Sequence, residues 1–265
     1  MQRNSGKTTP RILTIARDLK RRKARERADL FVAEGVRVVE ELLRARVPMR
    51  GALVTATLTE TTRGAALASA LASALATHGV ECTTVDDDDF RSAAATENPQ
   101  GVLAIGEVPR VSFASAGARA LARVLVLDAI QDPGNVGTMI RTAAALGIDT
   151  VVALPGTADP WNAKVVRGGA GGHFHVNVMH AELDELLHTL KAHAVPLWAA
   201  DAGGRSVGEL RAPASLALAI GNEGAGLTAG VRSAATELVS LPMSRGVESL
   251  NAAVAAGILL YALRP

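Results

Sequence analysis

A polar loop followed by a helix with one arginine is the stretch of the sequence best suited to chemistry. The apolar run at residues 124–127 is followed by DAIQDPGN, residues 128–135, and then by a predicted helix at 136–147 that contains Arg141 off its apolar face. The run has the composition of a buried parallel strand, and ligands of open α/β sheets collect beyond the carboxyl ends of such strands. The loop is therefore a candidate ligand site, although a plain βα turn with a surface arginine has the same pattern.

Length and composition limit the classes of protein that fit. The chain has 265 residues, 48% hydrophobic and 20% charged, which suits a soluble globular protein of one or two domains. Its one cysteine, Cys82, excludes an intramolecular disulfide and a cysteine-based zinc site, and it favours a reducing cytosol. No apolar signal segment begins the chain, and the longest apolar stretch, residues 250–263, is too short to span a bilayer. We expect a cytoplasmic protein.

Positive charge is concentrated near the N-terminus. The formal net charge is +2, but residues 11–27 contain eight Lys or Arg. Such a cluster attracts phosphates and releases counterions, so Arg21, Arg22, Lys23 and Arg25 are candidate nucleic-acid contacts, although a solvated helix face would carry the same charges. Aromatic residues make up only 3% of the chain, which argues against a platform that stacks unpaired bases. A bound RNA or DNA would be recognised by shape and charge.

Residues 1–107 form the first predicted domain. Val32 begins a helical repeat of apolar residues in FVAEGVRVVEELL, and this predicted helix alternates with strand-like segments and an alanine-rich helix. The acidic run at residues 86–89 fits a solvated loop or a helix start better than a magnesium site, which normally also uses phosphates. Residues 108–122 break the periodicity and have the small residues typical of a linker.

Residues 123–265 form the second predicted domain. Strand-like and helix-like segments alternate again, and four leucines between residues 183 and 190 have the spacing of one buried helix stripe. This alternation predicts an α/β fold with a mostly parallel sheet and helices on both faces. The usual ATP and NAD motifs do not occur, because NSGKTT at residues 4–9 lacks the upstream glycine and GNEGAG at 221–226 has the wrong spacing.

Three segments of the second half carry a family resemblance. They are DPGNVGTMIRTAAALG at residues 132–147, LAIGNEGAGL at 218–227 and LPMSRGVESLNAAVAAGILLY at 241–261. In order, content and spacing they resemble the three signature motifs of the SpoU/TrmH family, the AdoMet-dependent RNA ribose 2′-O-methyltransferases of the SPOUT class. The resemblance implies S-adenosyl-L-methionine (AdoMet) as cofactor, a homodimer formed through the C-terminal domain, and a trefoil knot, which is a rare exception to unknotted chains.

The first half is similar to the small α/β RNA-binding domain, resembling certain ribosomal proteins, that many family members carry ahead of the catalytic domain. FVAEGVRVVEELL at residues 31–43 and ENPQGVLAI at 97–105 are the segments that fit it. The resemblance implies a structured RNA as substrate, with 23S ribosomal RNA as the first choice. A tRNA 2′-O-methyltransferase and a non-catalytic RNA-binding module stay open as alternatives.

The resemblance also implies roles for individual residues. Backbone atoms near five residues would hold AdoMet: Ala200, Gly221, Leu241, Met243 and Leu250. Four residues occupy the polar motif positions and are catalytic candidates: Asn135, Glu223, Ser249 and Asn251. Arg167 matches a family arginine that meets RNA phosphate. Gly169 stands where the family usually has a small polar residue, which puts one hydrogen bond to the substrate or to the first motif in doubt.

Arg141 is implied to be the central catalytic residue. Methyl transfer to a ribose hydroxyl needs no metal and no covalent enzyme intermediate, but it needs close positioning and a way to manage the hydroxyl proton. Arg141 would bind the target phosphate and raise the reactivity of the neighbouring hydroxyl. A guanidinium with a pKa above about 12 is a poor base, so we favour electrostatic stabilisation of the developing alkoxide. A general-base role stays open.

Overall fold

The chain folds into two compact units. A computed structural model describes residues 10–77, 79–117, 121–244 and 249–264. The first unit comprises Met1–Val108 with Trp161–Ala163, and the second comprises Pro109–Pro160 with Lys164–Pro265. Within the described ranges, no helix is long and apolar enough to cross a bilayer.

The first unit is built on a mixed sheet of four strands in the order β1-β4-β2-β3. Its helices and strands are α1 (Arg11–Asp18), α2 (Arg22–Ala28), β1 (Leu30–Glu34), α3 (Val36–Arg44), β2 (Met49–Val54), α4 (Thr62–Thr77), β3 (Cys82–Thr84), α5 (Asp87–Ala93) and β4 (Val102–Glu107). β4 pairs antiparallel with β1 and β2, and β2 pairs parallel with β3. Leu13 of α1 and Phe90 of α5 join Leu53 and Leu103 of the sheet in one buried core, so α1 and α5 cover the same part of the sheet.

The predicted helical repeat is wrong at its first residue, Val32. Leu30–Glu34 is a fully buried strand, and α3 begins only at Val36. Gly35 separates the two elements with a φ of 100°, a conformation that glycine adopts readily. An apolar run this short fits a strand and a helix equally well, so periodicity alone did not locate the boundary.

The acidic run at residues 86–89 starts a helix. Asp86 is the N-cap of α5, and its Oδ1 accepts a hydrogen bond from the backbone N–H of Asp89 at 2.9 Å. Asp89 also pairs with Arg17 at 2.8 Å. The run therefore stabilises the start of α5 and links it to α1.

The second unit is built on a six-stranded sheet in the order β10-β8-β9-β5-β6-β7, and every neighbouring pair is parallel. Its elements are α6 (Phe113–Ala116), β5 (Arg123–Asp128), α7 (Pro133–Ala145), β6 (Thr150–Ala153), α8 (Ala163–Gly169), β7 (Asn177–His180), α9 (Leu183–Ala192), β8 (Leu197–Ser206), β9 (Leu216–Gly221), α10 (Ala229–Ala234), β10 (Glu237–Ser240) and α11 (Ala252–Ala262). Leu186 of α9 and Val231 of α10 share a core with Val124 and Val126 of the central strand β5. The predicted α/β fold with a parallel sheet is confirmed.

Two predicted segments of this unit differ in detail. The segment HFHVNVM, residues 173–179, has an apolar pattern that predicts a strand, but the structure divides it into the end of a 3-10 turn, Gly172–Phe174, and the start of β7. The predicted linker at 108–122 contains α6, and Val111 and Phe113 pack against the core of the second unit. The trefoil knot stays an expectation, because residues 245–248 of the C-terminal segment lie outside the described residues.

A buried arginine anchors the end of α11 to the start of β5. Arg123 donates from Nη2 to the Leu263 carbonyl at 2.5 Å and from Nη1 to the Pro213 carbonyl at 3.3 Å. Burial lowers the pKa of Arg123, and the nearby charge of Asp149 opposes that shift. The bond to Leu263 holds the end of α11, and the bond to Pro213 holds the loop before β9.

Candidate active site

A cleft in the second unit is formed by the ends of β9 and β10, the middle of β8 and the start of α11. Seven of the residues singled out from the sequence line it: Ala200, Gly221, Glu223, Leu241, Met243, Ser249 and Leu250. They include all five residues implied as AdoMet contacts. The sheet therefore brings together segments that are as much as fifty residues apart in the chain, from Ala200 to Leu250.

The lining of this cleft fits AdoMet. Met243 and Leu250 are exposed to 38% and 39%, so the cleft offers apolar surface to an adenine ring. Among the described lining residues, the charged ones are the carboxylates Asp201 and Glu223, which suits the positive sulfonium and ammonium groups of AdoMet. Gly226 has a φ of +69° and open space where a side chain would begin, so the loop after β9 can approach a flat ligand with its backbone.

Three polar side chains from separate elements are joined at the cleft. Asn135 donates from Nδ2 to Oε1 of Glu223, and Asn251 donates from Nδ2 to Oδ1 of Asn135 at 3.0 Å. Asn251 Oδ1 accepts from the backbone N–H groups of Ala253 and Val254 at 3.0 and 3.2 Å, so it caps α11 as well. Both amide groups therefore have one favourable orientation, and the first turn of α7 is tied to the loop after β9 and to α11.

The start of α7 determines where Arg141 lies. Asp132 is the N-cap, its Oδ1 accepts from the backbone N–H of Asn135 at 2.8 Å, and Pro133 occupies the first helical turn. Arg141 follows on the exposed side of the helix, as predicted. In the described part of the chain, no hydrogen bond or ion pair holds its guanidinium, which leaves the group available for a phosphate.

Two residues shape the loop after β9, and the sequence predicted this role for neither, although Asp128 lies in the candidate loop at residues 128–135. Asp128 is 1% exposed, and its Oδ2 accepts from the backbone N–H of Thr228 at 2.7 Å. Asn222 donates from Nδ2 to the Ala129 carbonyl at 3.0 Å, and its Oδ1 accepts from two N–H groups of its own loop. Both residues lie at strand ends, where Asp and Asn side chains commonly hold turns, and that signal could have identified them. They fix the loop that carries Glu223.

Asp201 is another cleft residue that the sequence did not identify as a candidate. It lies in the cleft with its side chain 12% exposed, pairs with Arg232 of α10, and accepts from the backbone N–H of Gly203 at 2.9 Å. Its position directly after the apolar residues of β8 could have marked it as a candidate ligand contact. Two partners hold this carboxylate in one orientation.

Arg167, the candidate phosphate contact on α8, lies two residues before Gly169, which packs against His173. Arg167 is exposed, but Gly169 is buried, and a Cβ added there would lie 2.4 Å from Nδ1 of His173. The His173 ring therefore takes the space that a polar side chain at residue 169 would need. His173 Nε2 donates to the Pro160 carbonyl at 2.9 Å, and burial lowers the pKa of His173 to about 4.

The basic stretch of the first unit divides into exposed and buried residues. Arg21, Arg22 and Lys23 are exposed, whereas Arg25 is 5% exposed and donates to the carbonyls of Leu19 and Lys20 at 2.8 and 3.0 Å. Those carbonyls follow α1, whose dipole favours a positive charge at this end. Arg25 thus has a structural task, and we leave it out of the proposed RNA contact.

Comparison with known proteins covers both units. The SpoU rRNA Methylase family model matches residues 122–261, and the MRM3-like substrate binding domain model matches residues 10–104. The 23S rRNA (guanosine(2553)-2′-O)-methyltransferase RlmP of Bacillus subtilis (strain 168) is 38% identical over 244 residues, which are 92% of each chain.

Solved structures agree with this assignment. The AdoMet-bound rRNA methyltransferase of Sinorhizobium meliloti superposes with a TM-score of 0.85 at 25% identity, covering 97% of this chain and 95% of that one. The SpoU methyltransferase AviRb of Streptomyces viridochromogenes, also in complex with AdoMet, gives a TM-score of 0.81 at 27% identity over 96% and 97% of the two chains. The chain belongs to the SpoU rRNA methylase family, and its cofactor is AdoMet.

Proposed function

We propose that the protein methylates a ribose 2′-hydroxyl of 23S ribosomal RNA in the cytoplasm. The observation that carries this proposal is the joined group of Asn135, Glu223 and Asn251 at the AdoMet cleft, on the same helix start that leads to the exposed Arg141. The similarity to RlmP over 92% of the chain supports the choice of RNA. We keep residues 1–107 as the RNA-binding domain and 123–265 as the catalytic domain.

The chain's own residues position the RNA and stabilise charge. Bound AdoMet would supply the methyl group and become S-adenosyl-L-homocysteine. Arg141 binds the phosphate next to the target ribose and stabilises the negative charge that develops on the 2′-oxygen as its proton passes to solvent water. Asn135, Glu223 and Asn251 hold α7 against the cleft, and Ser249 contributes a hydroxyl to its lining. Arg167 binds a second phosphate. Positioning of this kind supplies much of the acceleration in a reaction that needs no covalent intermediate.

Mapping of 2′-O-methyl groups tests the proposed function. We expect one ribose of 23S RNA to be methylated in cells that contain the protein and unmethylated in cells that lack it. The purified protein with AdoMet should restore the same methyl group on 23S RNA from the deficient cells. A methyl group found on a base nitrogen, or restored on tRNA alone, would contradict the proposal.

We predict that Arg21, Arg22 and Lys23 form an RNA contact. Replacing all three by Ala should weaken RNA binding and lower the slope of log K against log salt by about 2 to 3, because each phosphate contact contributes about 0.7 to 0.9. A matched control replaces Arg44, Arg50 and Arg63 by Ala, which removes the same charge from exposed ion-paired positions of the first unit. Equal salt slopes for the two triple variants, measured by fluorescence anisotropy, would refute the contact.

We further propose that a second copy of the chain covers the exposed side of α11. Val254, Ile258 and Tyr261 recur at helical spacing on this helix and are exposed to 50%, 44% and 58%, a continuous apolar stripe of the kind that marks interfaces. Light scattering should give twice the chain mass of 27.3 kDa. Ile258→Asp should lower the mass toward that of one chain, while Ser73→Asp, an exposed change on α4, should leave it doubled. A wild-type mass of one chain would exclude the dimer.

A further inference from the structure

The backbone of α7 at Arg141 lies directly against Gly172. Gly172 begins the 3-10 turn Gly172–Phe174, and a Cβ built on it would lie 2.9 Å from Cα and 3.2 Å from N of Arg141. The neighbouring Ile140 carbonyl oxygen would be 3.3 Å away. All three atoms belong to the backbone of α7, which cannot rotate out of the way as a side chain could. A residue larger than glycine at 172 therefore requires the turn at Gly172 and α7 at Arg141 to move apart.

A second glycine contact lies one turn earlier on α7. A Cβ on Gly137 would be 2.7 Å from the Val165 carbonyl oxygen and 3.0 Å from Cα of Gly168. At both points α7 touches its neighbour backbone to backbone, without a side chain between them. Backbone segments packed this closely cannot move nearer to each other. The contacts at Gly137 and at Arg141 therefore fix the position of α7 at two points.

The chain around Gly172 is held on both sides. Ala170 and Gly171 are consecutive left-handed residues, with φ of 47° and 96°, and they turn the chain from α8 back onto α7. Left-handed backbone is unfavourable for alanine and persists where the surroundings enforce it. On the other side, His173 is 2% exposed, bonds to the Pro160 carbonyl and fills the space above Gly169. Gly172 thus lies between two constrained neighbours.

We propose that Gly172 is a positioning residue for methyl transfer, acting through Arg141. Its lack of a side chain lets α7 lie where the Arg141 guanidinium meets the target phosphate, and this inference rests on the role proposed for Arg141. The described residues that line the cleft come from β8, β9, β10, α11 and adjoining loops and none from α7, and Asn135, which joins α7 to Glu223 and Asn251, lies six residues before Arg141. We therefore expect a shift confined to the turn at Arg141 to leave AdoMet binding unchanged.

Gly172→Ala is the first test. We expect the single-turnover methylation rate to fall about 10- to 100-fold, since a displacement of about 1 Å can have that effect on a positioned reaction, while the AdoMet dissociation constant stays unchanged. Gly168→Ala is the matched control, because a Cβ there would meet its nearest neighbour, Cα of Gly137, at an ordinary 3.5 Å. Neither glycine has a positive φ, so both changes act through volume alone. A wild-type rate for folded Gly172→Ala would overturn the proposal.

A double-mutant cycle separates positioning of Arg141 from a general loss of order. Gly172→Ala added to Arg141→Ala should cause no further loss of rate, because the group that Gly172 positions is already absent. A further tenfold loss in that background would show that Gly172 acts elsewhere. If Arg141→Ala alone has the wild-type rate, the role of Arg141 fails, whereas a slow Arg141→Ala beside a fast Gly172→Ala refutes only the present inference.

His173→Ala is the second test variant, used if Gly172→Ala does not fold. It adds no atoms, removes the hydrogen bond to Pro160 and leaves the chain at Gly172 free to shift. We expect a lower methylation rate at unchanged AdoMet affinity, and again no further loss when Arg141→Ala is present. Where Gly172→Ala does not fold, a wild-type rate for His173→Ala would overturn the proposal.

Discussion

Replacing Arg141 by Ala is expected to lower the single-turnover rate of RNA methylation by about two to three orders of magnitude, the usual effect of removing one preorganised electrostatic donor. AdoMet affinity should be nearly unchanged, because Arg141 is on the exposed side of α7 and the cleft that we propose holds the cofactor is lined by residues of β8, β9, β10, α11 and adjoining loops. Rapid-quench kinetics with excess enzyme and calorimetry with AdoMet measure the two quantities separately. A wild-type rate for this variant would show that the proposed mechanism is wrong, even though the family assignment would stand.

Arg141→Lys distinguishes charge from geometry. Lysine keeps the positive charge but lacks the planar fork of donors, so substantial rescue would favour electrostatic stabilisation of the 2′-oxygen. Absence of rescue would favour fork geometry or a general-base role. A general base should also make the chemical step rise with pH in a log-linear way toward a lowered pKa, and wild-type kinetics across pH therefore decide between those two.

The pH dependence of stability should reveal the buried His173. Its pKa is about 4 in the folded protein and 6.5 in its ordinary state, because burial disfavours the charged imidazolium. Between those two pH values the unfolded chain binds the extra proton, so stability is retained above pH 6.5 and is lost as the pH falls toward 4. The difference corresponds to about 3 kcal/mol in the free energy of unfolding.

His173→Asn provides the comparison, since asparagine does not titrate. We expect the variant to be less stable at pH 7, where the packing of the ring and its bond to Pro160 are lost. The gap between wild type and variant should narrow by about 3 kcal/mol between pH 7 and pH 4, as measured by urea unfolding at each pH. Carboxylates titrate in both proteins and cancel. Parallel stability curves would mean that His173 takes up its proton at the same pH in the folded and unfolded states.

Local patterns were sufficient for most of the architecture. The apolar run at 124–127 predicted a buried parallel strand, and β5 pairs in parallel with β6 and β9. The leucine stripe of α9 was equally clear, with Leu186 and Leu190 buried in the core. Such patterns work because burial on one face of an element repeats at a fixed interval along the chain. The helix start predicted at Val32 was wrong because the same short apolar run fits both the two-residue period of a strand and the 3.6-residue period of a helix.

Charge alone did not decide which basic residues are available to RNA. Arg21, Arg22, Lys23 and Arg25 look alike in the sequence, yet Arg25 turns inward to the carbonyls of Leu19 and Lys20. Its orientation depends on where α1 ends and how α2 packs beside it. A count of charges contains neither fact.

The sequence by itself determined the class of fold, through periodicity, and the family and its cofactor, through the resemblance of three segments to the family motifs. The roles of the individual site residues stay predictions. Only the tertiary structure joined Asn135 to Glu223 and Asn251, partners that lie 88 and 116 residues away in the chain. Only the tertiary structure likewise showed that His173 fills the place beside Gly169 and that Gly172 lies against the backbone of Arg141. The physical reason is that contacts between remote segments depend on how helices pack at the level of single atoms, and no repeat along the sequence records those distances.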